Sequence, residues 1–238
     1  RLCGPGTSLA RVNLRRPPRR VRPARSRVEP GSAGADGLAM TAILTSRLPD
    51  CRPLLADPDD LTLVFQPVVD LTTARIVGYE ARSRFPGTAG PEVWYAAAAD
   101  CGLAAELEAL AVTKALAAVP LLPDGAFLTV PVSPHLLGSP PVQEALATRP
   151  DLSRVVVQLA GHTPVDDLDA LRRQTDALRA RRALVAVDDA ASGLPHVAAV
   201  RPDLVGLDRT LVTGVDGDPV RTALTEVVRD LAGRIGAR

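Results

Sequence analysis

LTLVFQPVVDLTTARIVGYEARSRF, residues 61–85, sets a single carboxylate, Glu80, into a run that is otherwise apolar and β-branched on either side of it. Val64, Phe65, Val68 and Val69 predict one buried strand, residues 71–75 a turn and residues 76–85 a second strand, so the stretch reads as a hairpin. A carboxylate inside such a strand costs several kcal/mol unless it is paired, protonated or metal-bound. Arg82 or Arg84 offers a purely structural partner, and the spacing leaves that reading open beside a functional one.

From this hairpin onward, short apolar runs alternate with amphipathic stretches. The pattern predicts strands over 61–69, 76–85, 126–132, 155–160, 183–188 and 204–208. It predicts helices over 92–99 and 104–118, then 141–148, 165–181, 194–200 and 219–235. Pro91, Pro141, Pro164 and Pro219 stand at or just inside the predicted helix starts, where the missing N–H costs nothing. The order β-β-α-β-α-β-α-β-α-β-α argues for an α/β fold with a mostly parallel sheet, either doubly wound or a barrel. Residues 61–238 would form that domain, residues 41–60 a linker and residues 1–40 a tail.

The tail is compositionally distinct. It carries nine arginines against Glu29 and Asp36, is rich in Pro, Gly and Ser, and has no apolar period, so it is expected to be disordered. Such a segment holds anionic surfaces electrostatically without reading a nucleic-acid sequence. Met40 is the only methionine and the folding pattern starts after it, which gives the first 39 residues a second reading as sequence upstream of the true start. No apolar h-region follows the arginines, and no apolar run is long enough to span a bilayer, so a cytoplasmic, membrane-free setting is expected. Cys3, Cys51 and Cys101 show no metal-ligand spacing and fit a reducing compartment.

The predicted strands stay apolar until their C-terminal ends, where Glu80, Ser133, Gln158, Asp188, Asp189 and Asp208 appear. In α/β barrels that end carries the active site. Asp188 and Asp189 are the sharpest signal, because adjacent carboxylates repel unless a cation or proton lies between them, and hard divalent ions prefer oxygen ligands. A structural alternative makes one of them a cap for the helix near Gly193. His135, His162 and His196 lie in separate loops without zinc spacing and read as surface residues, and Asp216-Gly217-Asp218 reads as a turn feeding the helix after Pro219.

QPVVDLTTARIVGYEARSR, the later AVDDAASG and the following RPDLVGLDRTLV together resemble the EAL domain family, in order and spacing, from about residue 61 to the last residue. AAAADCGLAAELEALAVTKAL resembles the family's first long helical region. The resemblance implies a modified (β/α) barrel with an antiparallel first strand, here incomplete because the chain stops where the last strands would begin. It implies descent from phosphodiesterases that use two metal ions to cleave cyclic diguanylate (c-di-GMP), or from relatives that only bind the nucleotide or a protein partner.

Carried over residue by residue, Glu80 matches the metal-binding glutamate of the signature motif, whose leucine is Arg82 here. Arg84 matches a phosphate-contacting arginine, Gln66 a glutamine near the site, Asp188 and Asp189 the aspartates of the metal pair, and Asp208 the aspartate of the Lys-Ile-Asp element. Three positions depart: a metal-binding asparagine is Pro131, a glutamate is Gln158, and the catalytic lysine is Gly206. The Thr and Glu that follow the glutamate are Ala160 and Gly161.

The surviving set of Glu80, Asp188 and Asp189 would hold at most one Mg²⁺ or Mn²⁺, weakly. Loss of a preorganised cation such as the lysine removes roughly 3 to 4 kcal/mol of transition-state stabilisation. The expectation is therefore a catalytically inactive EAL-like domain, a sensor of c-di-GMP or a protein-interaction module. Its alternatives are a working phosphodiesterase releasing linear pGpG and a truncated product without function.

Overall fold

The structure is a computed structural model that describes residues 9–11 and 48–238. Its centre is a seven-stranded sheet in sequence order: β1 (Leu9–Arg11), β2 (Thr62–Asp70), β3 (Arg75–Arg84), β4 (Phe127–Val132), β5 (Val155–Ala160), β6 (Leu184–Asp188) and β7 (Leu204–Val205). β2 runs antiparallel to both β1 and β3, and every pair from β3 to β7 is parallel. The sheet has the strand order expected for a (β/α) barrel with one reversed strand, but among the described residues β1 and β7 are not joined, so the barrel is open.

The hairpin is fixed by local chemistry. Asp70 ends β2 with its Oδ1 accepting from the Thr72 amide at 2.8 Å and the Thr72 hydroxyl at 2.7 Å, an Asx turn that reverses the chain. Ala74 completes the reversal with φ +54°. Glu80 then lies directly opposite Gln66 in the ladder. Val64 and Phe65, expected to be buried, are 41 % and 40 % exposed. The hairpin lies toward the open side of the sheet, so one flank of β2 meets too little chain to cover it.

The two faces of the parallel strands divide the labour. Leu128, Val130, Val132, Val155, Val157, Leu159, Val185 and Val187 point outward into the main core, against helices α3 (Ala104–Ala118), α4 (Pro140–Ala147), α5 (Leu168–Ala180) and α6 (Leu194–Val200). Their alternates face inward, where Val68, Phe127, Val156 and Ala186 form an apolar floor. Above that floor the inward row becomes polar, with Glu80, Thr129 and Gln158 all buried.

The first two helices are α1 (Arg52–Ala56) and α2 (Pro91–Asp100). Cys51 and Leu54 are buried in a second cluster with Leu61, Trp94 and Leu107, so the expected linker is structured over its last part. Phe85 stacks on Trp94 at 5.2 Å and meets Tyr95 edge-on at 5.6 Å, which anchors the end of β3 to α2. The remainder of the expected tail, beyond the backbone of Leu9–Arg11, lies outside the described residues.

One helix start follows its cap and not its proline. α5 begins at Leu168 and not near Pro164, because the Asp167 carboxylate accepts from the Ala170 amide at 2.7 Å. The strand expected over 204–208 shrinks to two residues, since Asp208 leaves the sheet to cap α7 (Arg209–Val212), a helix the sequence did not signal. Asp218 caps α8 (Pro219–Ile235) in the same way, through the Val220 and Arg221 amides. Among the described residues no helix is long and apolar enough to cross a membrane.

Candidate functional site

A cavity of about 410 Å³ opens at the C-terminal ends of β3 to β6, within the size range of small-molecule sites. Glu80, Arg82, Arg84, Pro131, Gln158, Asp188, Asp189 and Asp208 all line it. Eight of the residues singled out in the sequence are thus gathered at one mouth. Gly206 joins them through its contact with Asp188, whereas Gln66 stands across the ladder from Glu80 and is not among the lining residues.

Three of these contacts decide what the mouth can hold. Glu80 is 3 % exposed, and its Oε1 lies 3.3 Å from an Nη of Arg82. Residues two apart on a strand share a face, which is why the partner comes from the position where the signature motif has its leucine. Gln158, only 6 % exposed, donates from Nε2 to Oδ2 of Asp188 at 2.8 Å. A glutamate there would set a second negative charge against Asp188, whereas the amide satisfies it. At Gly206 an added Cβ would lie 2.3 Å from Oδ1 of Asp188 and 3.1 Å from its Cα, so no side chain fits while Asp188 holds its place.

The turn after β6 is equally tight. Asp189 takes φ +51° and its carbonyl accepts from the Ser192 and Gly193 amides at 3.0 and 3.1 Å. The cap of α6 is Gly193, with no side chain bonded to it, so neither aspartate serves as the cap considered from sequence. A Cβ at Gly161 would meet the carbonyl oxygens of Asp188 and Asp189 at 2.5 and 2.9 Å. Asp208 is a structural cap: its Oδ1 accepts from the Thr210 amide at 2.6 Å and from the Thr210 hydroxyl. Those bonds, the hydroxyl first, hold its carboxyl below the usual range.

Glu108, on α3, lines the same cavity and escaped the sequence reading. It is 5 % exposed, and its two oxygens accept from the Ser133 amide at 2.8 Å and the Ser133 hydroxyl at 2.5 Å. Burial pushes its carboxyl up to about 7, against the lowering effect of the Ser133 bonds. A signal existed: Glu108 occupies the helical stripe continued by Val112, Ala115 and Val119, all buried. Tyr95 completes this wall, its hydroxyl 3.1 Å from Ser83 Oγ, and burial raises its pKa.

His196, read as a surface residue, is 5 % exposed on the apolar face of α6, and burial lowers its pKa. Cys51 and Cys101 are free thiols, the first buried and the second exposed.

The donor set does not suit a pair of divalent ions. Mg²⁺ dehydrates reluctantly and is held by carboxylates, yet Glu80 is engaged by a guanidinium, Asp188 by an amide, and Pro131 has no donor. Among the described residues no three His, Cys, Asp or Glu side chains converge as a metal-binding group. Arg82 and Arg84 instead give the mouth two cations on one strand face, suited to an anionic ligand.

A family model described as EAL domain matches residues 53–238. Among solved structures, the chain is similar to the PaMucR phosphodiesterase in a c-di-GMP complex, with 20 % identity and a TM-score of 0.67, covering 79 % of this chain and 82 % of that one. It is similar to the Xanthomonas citri FimX EAL domain in complex with c-di-GMP, with 19 % identity and a TM-score of 0.66, covering 78 % of each. A third likeness is to Klebsiella pneumoniae BlrP1 in a calcium and c-di-GMP complex, with 23 % identity and a TM-score of 0.64, where 75 % of this chain spans 48 % of that one. At these identities the likeness establishes the fold. No curated protein matches the chain by sequence.

Proposed function

The chain belongs to the EAL domain family, and from that premise we propose that it is a c-di-GMP-binding domain that does not hydrolyse the nucleotide. One observation carries the reading: two carboxylates that a two-metal phosphodiesterase would present to its ions are each engaged from within, Glu80 by Arg82 and Asp188 by Gln158. Two-metal hydrolysis needs an ion to activate water and another to stabilise the leaving oxygen. With Gly206 in the lysine position the chain also supplies no ammonium to offset developing charge.

Binding makes different demands from cleavage. A cyclic dinucleotide carries two phosphodiester anions, and Arg84 and Arg82 face the cavity with guanidinium forks that match phosphate oxygens. Tyr95 and the apolar parts of the wall offer surface for the nucleotide bases. The domain would then act in c-di-GMP signalling as a sensor, its output being occupancy and not product.

The test is incubation with c-di-GMP and Mn²⁺ followed by chromatographic separation. Recovery of intact nucleotide is expected, together with weaker retention of c-di-GMP by Arg84→Ala than by the unaltered protein. Enzyme-dependent linear pGpG would overturn the non-hydrolytic reading.

A further inference from the structure

We propose that the Arg82 guanidinium is the resident cation of this site, standing in for a divalent ion at Glu80 and presenting positive charge to a phosphodiester ligand. The inference rests on the metal-free reading above, and it adds the residue responsible and a prediction that does not need the nucleotide.

Three observations converge on Arg82. Glu80 is nearly sealed, and a carboxylate removed from water needs a counter-charge in place. Arg82 supplies it at 3.3 Å from the same strand face, so the pair needs no long-range closure to form. The Arg82 side chain is itself 43 % exposed, so the group bridges a buried anion and the open cavity mouth. A guanidinium has five N–H donors in a rigid plane, more than one carboxylate oxygen can use, and it cannot lose its charge.

A divalent ion approaching Glu80 would meet this fixed positive charge at contact range and be repelled. The second carboxylate is no better placed to recruit it, because Asp188 already accepts from Gln158. An incoming phosphodiester, by contrast, finds a cation that is present at any metal concentration. Arg84, two residues further along the strand, adds a second one at the same mouth.

Mn²⁺ titration followed by water-proton relaxation tests this directly. The unaltered protein should bind Mn²⁺ only weakly, and Arg82→Leu should bind it roughly tenfold or more tightly, the size of effect typical when groups around a metal ligand change. Because Arg82→Leu leaves Glu80 without its cation and could unfold the strand end, Arg82→Leu combined with Gln158→Glu is the second variant, expected to bind Mn²⁺ more tightly still. Arg82→Leu with Glu80→Gln should lose the gain.

A parallel c-di-GMP titration in chelator separates the two claims. Loss of nucleotide affinity in Arg82→Leu that Mn²⁺ restores supports the stand-in role. Absence of nucleotide binding by the unaltered protein would overturn the proposed function while the Mn²⁺ result still decides the role of Arg82. Equal Mn²⁺ affinity in the unaltered protein, in Arg82→Leu and in Arg82→Leu with Gln158→Glu would overturn the stand-in.

Discussion

Glu108 holds a proton into the neutral range, and this couples the stability of the domain to pH. Its carboxyl is pushed up to about 7 by burial, from 4.5. Between those values the folded domain keeps a proton that the unfolded chain has released. Its contribution is therefore fully present below about pH 4.5 and lost as pH rises through about 7, a change on the order of 3 kcal/mol. The melting temperature should fall between pH 5 and pH 8, and Glu108→Gln should flatten that fall; an unchanged slope in the variant would assign the pH dependence elsewhere.

Gly206→Lys, which restores the family's residue type, should not restore chemistry. Its Cβ would overlap Asp188, so the expected outcome is a loss of about 1 to 3 kcal/mol in a denaturant midpoint with no pGpG formed. Glu80, Asp188 and Gln158 stood out in the sequence as polar groups late in apolar strands, and the fold gathers all three at one cavity. Glu108 and the Arg82 contact were harder to see: the first lies on a helix far away in sequence, and the second is a choice between two arginines that only side-chain geometry makes.

The ends of the elements are tied by arginines that reach across to neighbouring carbonyls. Arg179, on α5, donates to the carbonyls of Val200 and Arg201 at 2.9 Å each and lies 3.3 Å from Asp203 Oδ2, which itself accepts from the Val185 amide. It thereby closes the C-terminal end of α6, where Arg201 turns with φ +46°, onto the start of β7. Arg179→Ala should destabilise this corner by about 2 kcal/mol, the usual worth of hydrogen bonds to a charged group, with amide exchange rising first at residues 200–205; a loss spread evenly over the domain would contradict it. β5 was predicted to the residue, its β-branched run Val155–Val157 bounded by Arg154 before it and Gly161 after it. β7 was overestimated because Leu207 and Asp208 continue the strand pattern while a side-chain cap, invisible to periodicity, takes the chain out of the sheet.

For the whole molecule, an open sheet implies graded protection. β4, β5 and β6 are flanked on both sides and covered by the main core, whereas β2 exposes Val64 and Phe65 and β7 is two residues long. At the β7 edge the Arg238 backbone joins in, donating to the Asp203 carbonyl at 3.1 Å and accepting from the Val205 amide at 2.7 Å. Native-state hydrogen exchange should find the slowest amides in β4 to β6 and markedly faster ones in β2. Alternation of strands and helices made the parallel sheet legible, and the doubled strand at the start made the reversed one legible. The structured segment around Cys51 and Leu54 was not legible, because two apolar residues in a Pro- and Asp-rich stretch carry no period.

On the proposed function, the site binds c-di-GMP through arginines with no metal. Calorimetric titration of the protein with c-di-GMP, once in excess chelator and once in Mn²⁺, tests it most directly. Saturable binding of equal affinity under both conditions, with intact nucleotide recovered afterwards, is the expected result. Binding that appears only with Mn²⁺, or recovery of the linear dinucleotide, would contradict it.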